Sequence, residues 1–136
     1  MERLVARVLV MLSGVTPSDA AHVLGLQANW SSEAAKLAGQ LGARLREMKF
    51  PTPQRTEQFA RDVWNETVRL TGRAILDTAL GVKLADDQLV DAVCRGQTLL
   101  GLATISLKPS VPVVAVGGPV KVYYPEVALR LGCDMV

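Results

Sequence analysis

Two glycines near the carboxyl end of the chain suit close approach to a ligand. Gly117 and Gly118 follow the apolar, β-branched run 111–116 and precede Pro119. Glycines let the backbone turn sharply and let a ligand approach where a Cβ atom would collide. A helix that begins there would offer backbone N–H groups and positive potential at its N-terminus. The pattern therefore predicts either a nucleotide-facing turn at Gly117, Gly118 and Pro119 or an ordinary tight turn between a strand and a helix.

A second group of polar residues lies near the start of the chain. Thr16 precedes Pro17, which predicts a helix that Thr16 caps. Asp19 and His22 are three residues apart and therefore share one face of that helix. They form either a polar pair directed at a ligand, or a dipole-stabilising acid beside a packed or solvated histidine. With Thr16, they are candidate residues of a site wall.

The motifs that would mark known catalytic chemistry are absent from the sequence. It contains no GxGxxG, GxxxxGK[ST], GxSxG or HExxH motif. It has one histidine and two cysteines, Cys94 and Cys133, without a CxxC motif or a metal-like spacing. We therefore assign no catalytic residue and predict no metal site from the residues of this chain.

Composition narrows the class of protein. The 136 residues suit one domain, and the net charge of +2 with 4% aromatic residues gives no case for a nucleic-acid partner. Two cysteines outside any disulfide framework favour the cytoplasm. The run Leu4–Leu12 is too short and too charged to span a membrane, and it lacks the cleavage site of a targeting segment. We predict that Leu4–Leu12 forms a strand.

Periodicity predicts a helical middle. Helices are expected over residues 17–24, 33–48, 53–80 and 88–97, the last opened by Asp86 and Asp87 as capping residues. Gly39 and Gly42 in the second helix suggest a close approach to another helix. The stripe of that helix expected to face the core comprises Ala34, Leu37, Ala38, Leu41, Leu45 and Met48.

The last part of the chain predicts a small sheet. Strands are expected at residues 103–107, at 111–116 buried on both faces, and from 133 onward. Between the last two we predict a short turn over 119–123 and a helix over 125–131, because Pro125 should not lie inside a helix. The predicted fold class is α/β, or α+β in this piece. Its parts are residues 1–30 (strand plus short helix), 31–98 (helical insertion) and 99–136 (strand–GG–helix–strand).

Two stretches resemble motifs of one protein family. Residues 13–26, SGVTPSDAAHVLGL, resemble the G-x-T-P-T-D-x-x-H-V-L-G signature of the hydantoinase A/5-oxoprolinase family. Residues 113–132, VVAVGGPVKVYYPEVALRLG, resemble that family's VVGVGAPAxAYLPEVAxxLG segment near the end of its large ATP-dependent subunit. The departures are mild: Ser18 replaces the usual threonine, and Gly118 stands where alanine is frequent. The order and separation of the motifs extend the likeness over most of the chain.

The resemblance implies a fold and an activity. The family resembles the actin/sugar-kinase/Hsp70 superfamily, and its members hydrolyse hydantoins or 5-oxoproline, or carboxylate ketones, with consumption of ATP. Gly117, Gly118 and Pro119 would line the nucleotide. The resemblance assigns no role to Thr16, Asp19 or His22, which stay candidate residues of the site wall. ATP with a divalent metal is the implied cofactor of the full-length protein, with none expected to bind tightly to this piece.

The resemblance also implies that the chain is a piece of a longer protein. The family's N-terminal half, with its phosphate-binding loops and metal ligands, has no counterpart here, so we expect the isolated piece to be inactive. Its partners would be the remainder of its own chain, a second hydantoinase-type subunit or another copy. The competing interpretation is a helical interaction module without catalysis, in which the long helix 53–80 contacts a partner or a second copy.

Overall fold

The computed structural model describes residues 14–47, 50, 52–84, 88–98, 100–118 and 120–136. Five helices lie within these residues: α1 (Pro17–Val23), α2 (Ser32–Glu47), α3 (Pro53–Leu80), α4 (Gln88–Arg95) and α5 (Val120–Leu131). The chain divides into two compact units, Met1–Ala60 and Arg61–Val136, with the boundary inside α3. The predicted strand Leu4–Leu12 and the predicted cap Asp86–Asp87 lie outside the described residues.

The α/β fold class predicted from the sequence is wrong, because the described residues are helical and contain no strand. The two chain segments 113–115 and 134–136 run parallel and are joined at one isolated bridge, Val113 to Met135. Val114 and Val116 are exposed rather than buried on both faces, and residues 103–107 are also exposed. β-Branched residues favour strands only where a sheet can bury them, and one pair of short segments offers no such surface. The predicted actin-like fold is wrong for the same reason.

The ends of the first helix follow the predicted signals. Pro17 occupies the first turn of α1, and Thr16 caps it. Beyond Val23, Gly25 adopts a positive φ of 70°, and the N–H of Leu26 donates to the carbonyl of Ala21 at 2.9 Å. This Schellman arrangement needs a left-handed residue, which glycine supplies at little cost.

The second helix packs with a different face from the one predicted. Its buried residues are Ala35, Gly39, Gly42 and Ala43. A Cβ atom built on Gly42 would lie 2.4 Å from Cε1 of Phe59, and one built on Gly39 would lie 3.1 Å from Cγ2 of Thr56. The close approach predicted from these glycines is therefore confirmed. The absence of side chains lets the start of α3 approach the α2 backbone, and the leucine stripe of α2 remains outside.

The third helix has the predicted bounds, Pro53–Leu80, and Thr52 accepts a hydrogen bond from the N–H of Arg55 at 3.3 Å. The predicted break before Pro125 is wrong, since α5 runs through it from Val120 to Leu131. Tyr123, Val127 and Leu131 of α5 are buried, one turn apart. Burial of this face offsets the hydrogen bond that proline cannot make.

Candidate functional site

Thr16 and Asp19 form a reciprocal cap at the start of α1. The Thr16 backbone N–H donates to Oδ2 of Asp19 at 2.9 Å, and the Thr16 hydroxyl lies 2.7 Å from the same oxygen. In return, the Asp19 backbone N–H donates to Oγ1 of Thr16 at 3.2 Å. The carboxylate therefore satisfies groups at the helix N-terminus and complements its dipole. The structure brings these two predicted site residues together, in the arrangement of a capping box.

His22 is buried, and both of its ring nitrogens have partners. The backbone N–H of Trp30 donates to Nε2 at 3.1 Å, so Nε2 carries no proton. Nδ1 then holds the proton and donates to the carbonyl of Ser18 at 2.8 Å, a carbonyl that also accepts from the side-chain amide of Gln27 at 3.1 Å. His22 thus fastens the segment that follows α1 onto the helix. In this neutral tautomer, neither nitrogen is available to a substrate.

Gly117 and Gly118 form the turn that leads into α5. Gly117 has a φ of 126°, a region that side-chain-bearing residues rarely adopt. A Cβ atom built on Gly118 would meet no atom within 4 Å, so open space adjoins this residue. The turn follows the segment that pairs in parallel with residues 134–136, and the N–H of Val120 donates to the carbonyl of Gly117 at 3.4 Å. The predicted site residue Pro119 lies outside the described residues.

A groove of about 420 Å³ lies at the other end of the paired segments. Its lining is formed by residues 108–112 together with Asp134. Neither Gly117 nor Gly118 contributes to it, so the groove and the glycine turn are separate features. The candidate residues of α1 belong to the first unit and the glycine turn belongs to the second.

A cluster of four charged residues joins α3 to α4, and the sequence analysis missed it. Arg69 donates to both carboxylate oxygens of Glu66, at 2.9 and 2.6 Å, and to Oδ1 of Asp91 at 2.9 Å. Arg95 donates to Oδ2 of Asp91 at 2.6 Å. The spacing of Glu66 and Arg69, three residues on one helix, was the available signal, but only the fold could pair them with α4. We call Glu66, Arg69, Asp91 and Arg95 the charged cluster.

The electrostatics of the charged cluster favour the ionised carboxylates. The hydrogen bond from Arg69 lowers the pKa of Glu66, and the hydrogen bond from Arg95 lowers the pKa of Asp91, with partial desolvation opposing both shifts. The pKa of Arg69 is raised, chiefly by its bond to Glu66. Shifts in this direction keep Glu66, Arg69 and Asp91 charged at neutral pH, which suits a structural ion-pair network rather than proton transfer.

Arg130 connects three helices in the second unit. Its guanidinium donates to Oε1 of Glu126 at 2.9 Å, to Oδ1 of Asn65 at 2.9 Å and to the carbonyl of Cys94 at 3.3 Å. It also lies 5.8 Å from the ring centroid of Trp64. With its side chain only 9% exposed, Arg130 has its charge compensated within the protein and serves packing of α3, α4 and α5.

The described residues contain no candidate metal site, and their two cysteines are buried. They contain no group of three or more His, Cys, Asp or Glu side chains that could hold a metal ion. Cys94 and Cys133 are buried and form no disulfide, and burial raises the pKa of the Cys94 thiol. Among the described helices, none is both long and apolar enough to cross a membrane.

The chain was compared with protein-family models, curated proteins and solved structures, and no match was found in any of the three. The resemblance to the hydantoinase A/5-oxoprolinase family therefore rests on the two sequence motifs alone.

Proposed function

We propose that this chain is part of an ATP-dependent hydrolase of the hydantoinase/oxoprolinase type, and that it contributes to the nucleotide side of the active site. The two motifs, residues 13–26 and 113–132, support the proposal by their order and their separation. Gly117 and Gly118 are the residues proposed to lie against the nucleotide.

One geometric observation carries the assignment of Gly118. Open space adjoins this residue, since a Cβ atom there would meet nothing within 4 Å, and α5 begins two residues later. Backbone N–H groups at a helix N-terminus attract anionic groups, so the turn and the helix fit a nucleotide. Gly117 supports the turn by adopting a φ that other residues reach only under strain.

The cofactor would be ATP with a divalent metal. ATP would supply the activation of the amide oxygen of a cyclic amide, after which water hydrolyses the ring. The residues of this chain would leave room for the nucleotide at Gly118 and place the α5 N-terminus beside it. The resemblance implies that the metal ligands of this proposal belong to the other half of the full-length protein.

In the proposed function, Thr16, Asp19 and His22 act indirectly. Thr16 and Asp19 fix the start of α1, and His22 fixes the segment after it through its hydrogen bond with the N–H of Trp30. They would shape the wall of a site by holding the backbone, without contacting substrate. We propose a cytoplasmic location from the two unpaired cysteines. The proposed partners are the remaining chain of the enzyme, a second subunit of that enzyme or another copy.

A substrate panel tests the activity. ATP hydrolysis by the full-length gene product is measured with hydantoin, 5-oxoproline or a small ketone, each present in excess. The proposal expects one of these compounds to stimulate ATP hydrolysis and to be consumed in proportion. ATP turnover that none of them stimulates, or no ATP binding at all, would contradict it.

The second candidate function is a helical interaction module without catalysis. The sequence predicts its contact surface on α3, where Val68 and Leu76 are buried within the chain and Leu70 is exposed. Exposed apolar side chains also lie on α2, at Leu37, Leu41 and Leu45. Under this candidate, substitutions on α2 change assembly, and substitution of Gly118 changes nothing.

A further inference from the structure

The groove formed by residues 108–112 and Asp134 carries two side chains of opposite charge. Lys108 and Asp134 both line it, and the other described residues of its lining are uncharged. Its volume of about 420 Å³ lies within the range of small-molecule sites in proteins. A ligand that enters the groove therefore meets both a cation and an anion.

Neither of these charges is compensated by the described part of the chain. There, the ammonium group of Lys108 and the carboxylate of Asp134 form no ion pair or side-chain hydrogen bond, with each other or with any other residue. Arg69 and Arg130, by contrast, are paired with carboxylates. The backbone carbonyl of Asp134 accepts from the N–H of Val113 at 3.3 Å, which fixes the Asp134 backbone beside the groove. Both charged side chains are exposed and available to a ligand.

Two prolines order the backbone of the groove. Pro109 is buried, and Pro112 directly precedes the segment that pairs with residues 134–136. Proline restricts its own φ and favours an extended conformation in the residue before it, here Lys108 and Val111. A site that is ordered before the ligand arrives loses less conformational entropy on binding.

The uncharged lining is apolar apart from one hydroxyl. Pro109, Val111 and Pro112 supply carbon surface, and Ser110 supplies the hydroxyl. Residues two apart lie on the same side of an extended segment, so Ser110 and Lys108 can contact the same group of a ligand. A hydroxyl and an ammonium group both donate hydrogen bonds to a carboxylate. The lining therefore suits a ligand with a carboxylate, a cationic group and an apolar part.

We propose that the groove binds a small apolar α-amino acid. Its carboxylate contacts Lys108 and Ser110, its ammonium group contacts Asp134, and its side chain lies against the apolar lining. A free amino acid is a zwitterion at neutral pH, so each of its charges meets the opposite charge. A ligand with only one of the two charges leaves either Lys108 or Asp134 unpaired, which selects against it.

The groove is separate from the proposed nucleotide turn. The segment 113–116 lies between them, and four residues of extended chain span about 13 Å. The inference does not rest on the proposed hydrolase activity, and neither outcome for that activity alters it. Because Lys108 and Asp134 are exposed, solvent weakens their interactions with a ligand, and we expect a dissociation constant on the order of 1 mM.

Three probes of similar shape test the need for both charges. Leucine carries a carboxylate and an ammonium group, isocaproate lacks the ammonium group, and isoamylamine lacks the carboxylate. Ligand-observed NMR titrations with the full-length gene product measure the three affinities. Leucine should bind about tenfold or more tightly than either analogue, because each analogue loses one charged contact. Equal affinities for the three probes, or no saturable binding of leucine, would overturn the proposal.

Substitutions in the groove assign each charge to its partner. Lys108→Gln should lower the affinity for leucine to that for isoamylamine, and Asp134→Asn should lower it to that for isocaproate. Lys83→Gln alters an exposed lysine outside the groove and should leave all three affinities unchanged. Circular dichroism confirms that each variant is folded. Leucine binding that neither groove substitution weakens, or that Lys83→Gln weakens as much as Lys108→Gln, would place the site elsewhere and overturn the proposal.

Discussion

The backbone N–H of Trp30 donates a hydrogen bond to Nε2 of His22, and this bond defines what the histidine does. It leaves Nε2 without a proton and turns Nδ1 toward the carbonyl of Ser18. The one histidine of the sequence is therefore occupied on both ring nitrogens by groups of the surrounding chain. A histidine in this setting orders the chain around it, and stability is the property that its substitution should change first.

Replacement of His22 should destabilise the protein. His22→Phe removes a buried side chain that accepts from the N–H of Trp30 and bonds to the carbonyl of Ser18, and the free energy of unfolding should fall by about 1–3 kcal/mol. Trp30→Ala is the matched control, because it removes an exposed side chain and keeps the backbone N–H, and it should cost about 0.5 kcal/mol or less. Urea unfolding measures both. Equal losses for the two variants would refute the anchoring role of His22.

Asp19 gives a separate test of capping against ligand contact. Asp19→Ala removes the acceptor for the backbone N–H and the hydroxyl of Thr16, and should lower the free energy of unfolding by about 1 kcal/mol. Asp19→Asn keeps an oxygen acceptor and should retain most of the stability. If Asp19→Asn were as stable as the parent but lost ATP turnover in the full-length protein, the carboxylate would have a direct role at the site.

Gly42 and Gly72 form a matched pair of helical glycines with opposite expected effects. Gly42→Ala places a Cβ atom against the ring of Phe59 and should destabilise the protein by about 1–3 kcal/mol. In Gly72→Ala, the new Cβ lies 3.8 Å from its nearest neighbours, an ordinary contact, so the higher helix propensity of alanine should stabilise α3 by up to about 1 kcal/mol. Thermal unfolding compares the two variants. Stabilisation by Gly42→Ala would show that α2 and α3 are not in close contact there.

The charged cluster predicts a loss of stability in acid. Glu66 and Asp91 have lowered pKa values in the folded protein, from ordinary values of 4.5 and 3.8. A carboxylate with a lowered folded-state pKa adds stability above its unfolded pKa, and this contribution disappears as the pH falls through the folded-state pKa. The free energy of unfolding should therefore decrease below about pH 4.5, by less than about 1 kcal/mol per carboxylate because both are more than one-third exposed.

Asp91→Asn should flatten this acid dependence, since the amide cannot titrate. Asp134→Asn, which alters an exposed carboxylate outside the charged cluster, serves as the control. Urea unfolding at several pH values between about 2.5 and 7 gives the slopes. If Asp91→Asn and Asp134→Asn change the acid dependence equally, the charged cluster is not its cause.

The sequence predicted the helix signals well and the burial of apolar residues poorly. The cap at Thr16, the first-turn proline of α1 and the bounds of α3 depend on local backbone chemistry, which a short stretch of sequence carries. The choice of the inward face of α2 does not depend on local backbone chemistry. Its leucine stripe has the stronger apolar periodicity, yet Gly39 and Gly42 decide the packing, because only they let α3 approach closely. Periodicity measures how apolar a face is, and close approach depends on shape.

The sheet was mispredicted for a related reason. The run 111–116 has the composition of a buried strand, but a strand forms a sheet only with neighbours that pair and cover it. Here residues 113–115 pair with 134–136 alone, and Val114 and Val116 stay exposed. At the candidate site, local rules offered a dipole-stabilising role for Asp19 as one of two interpretations, and they did not predict its reciprocal hydrogen bonds with Thr16. The partners of His22 lie up to eight residues away, beyond what the helix pattern could indicate.

The most direct test of the proposed function compares two substitutions at Gly118. Calorimetry measures ATP binding to the full-length gene product carrying Gly118→Val or Gly118→Ala. Open space at Gly118 means that both variants should fold, as unfolding experiments can verify. We predict that Gly118→Ala, the residue frequent in the resembling family, keeps its affinity, whereas Gly118→Val loses about tenfold or more because its larger side chain occupies space beside the nucleotide. Unchanged ATP affinity in a folded Gly118→Val protein would contradict the nucleotide-facing role.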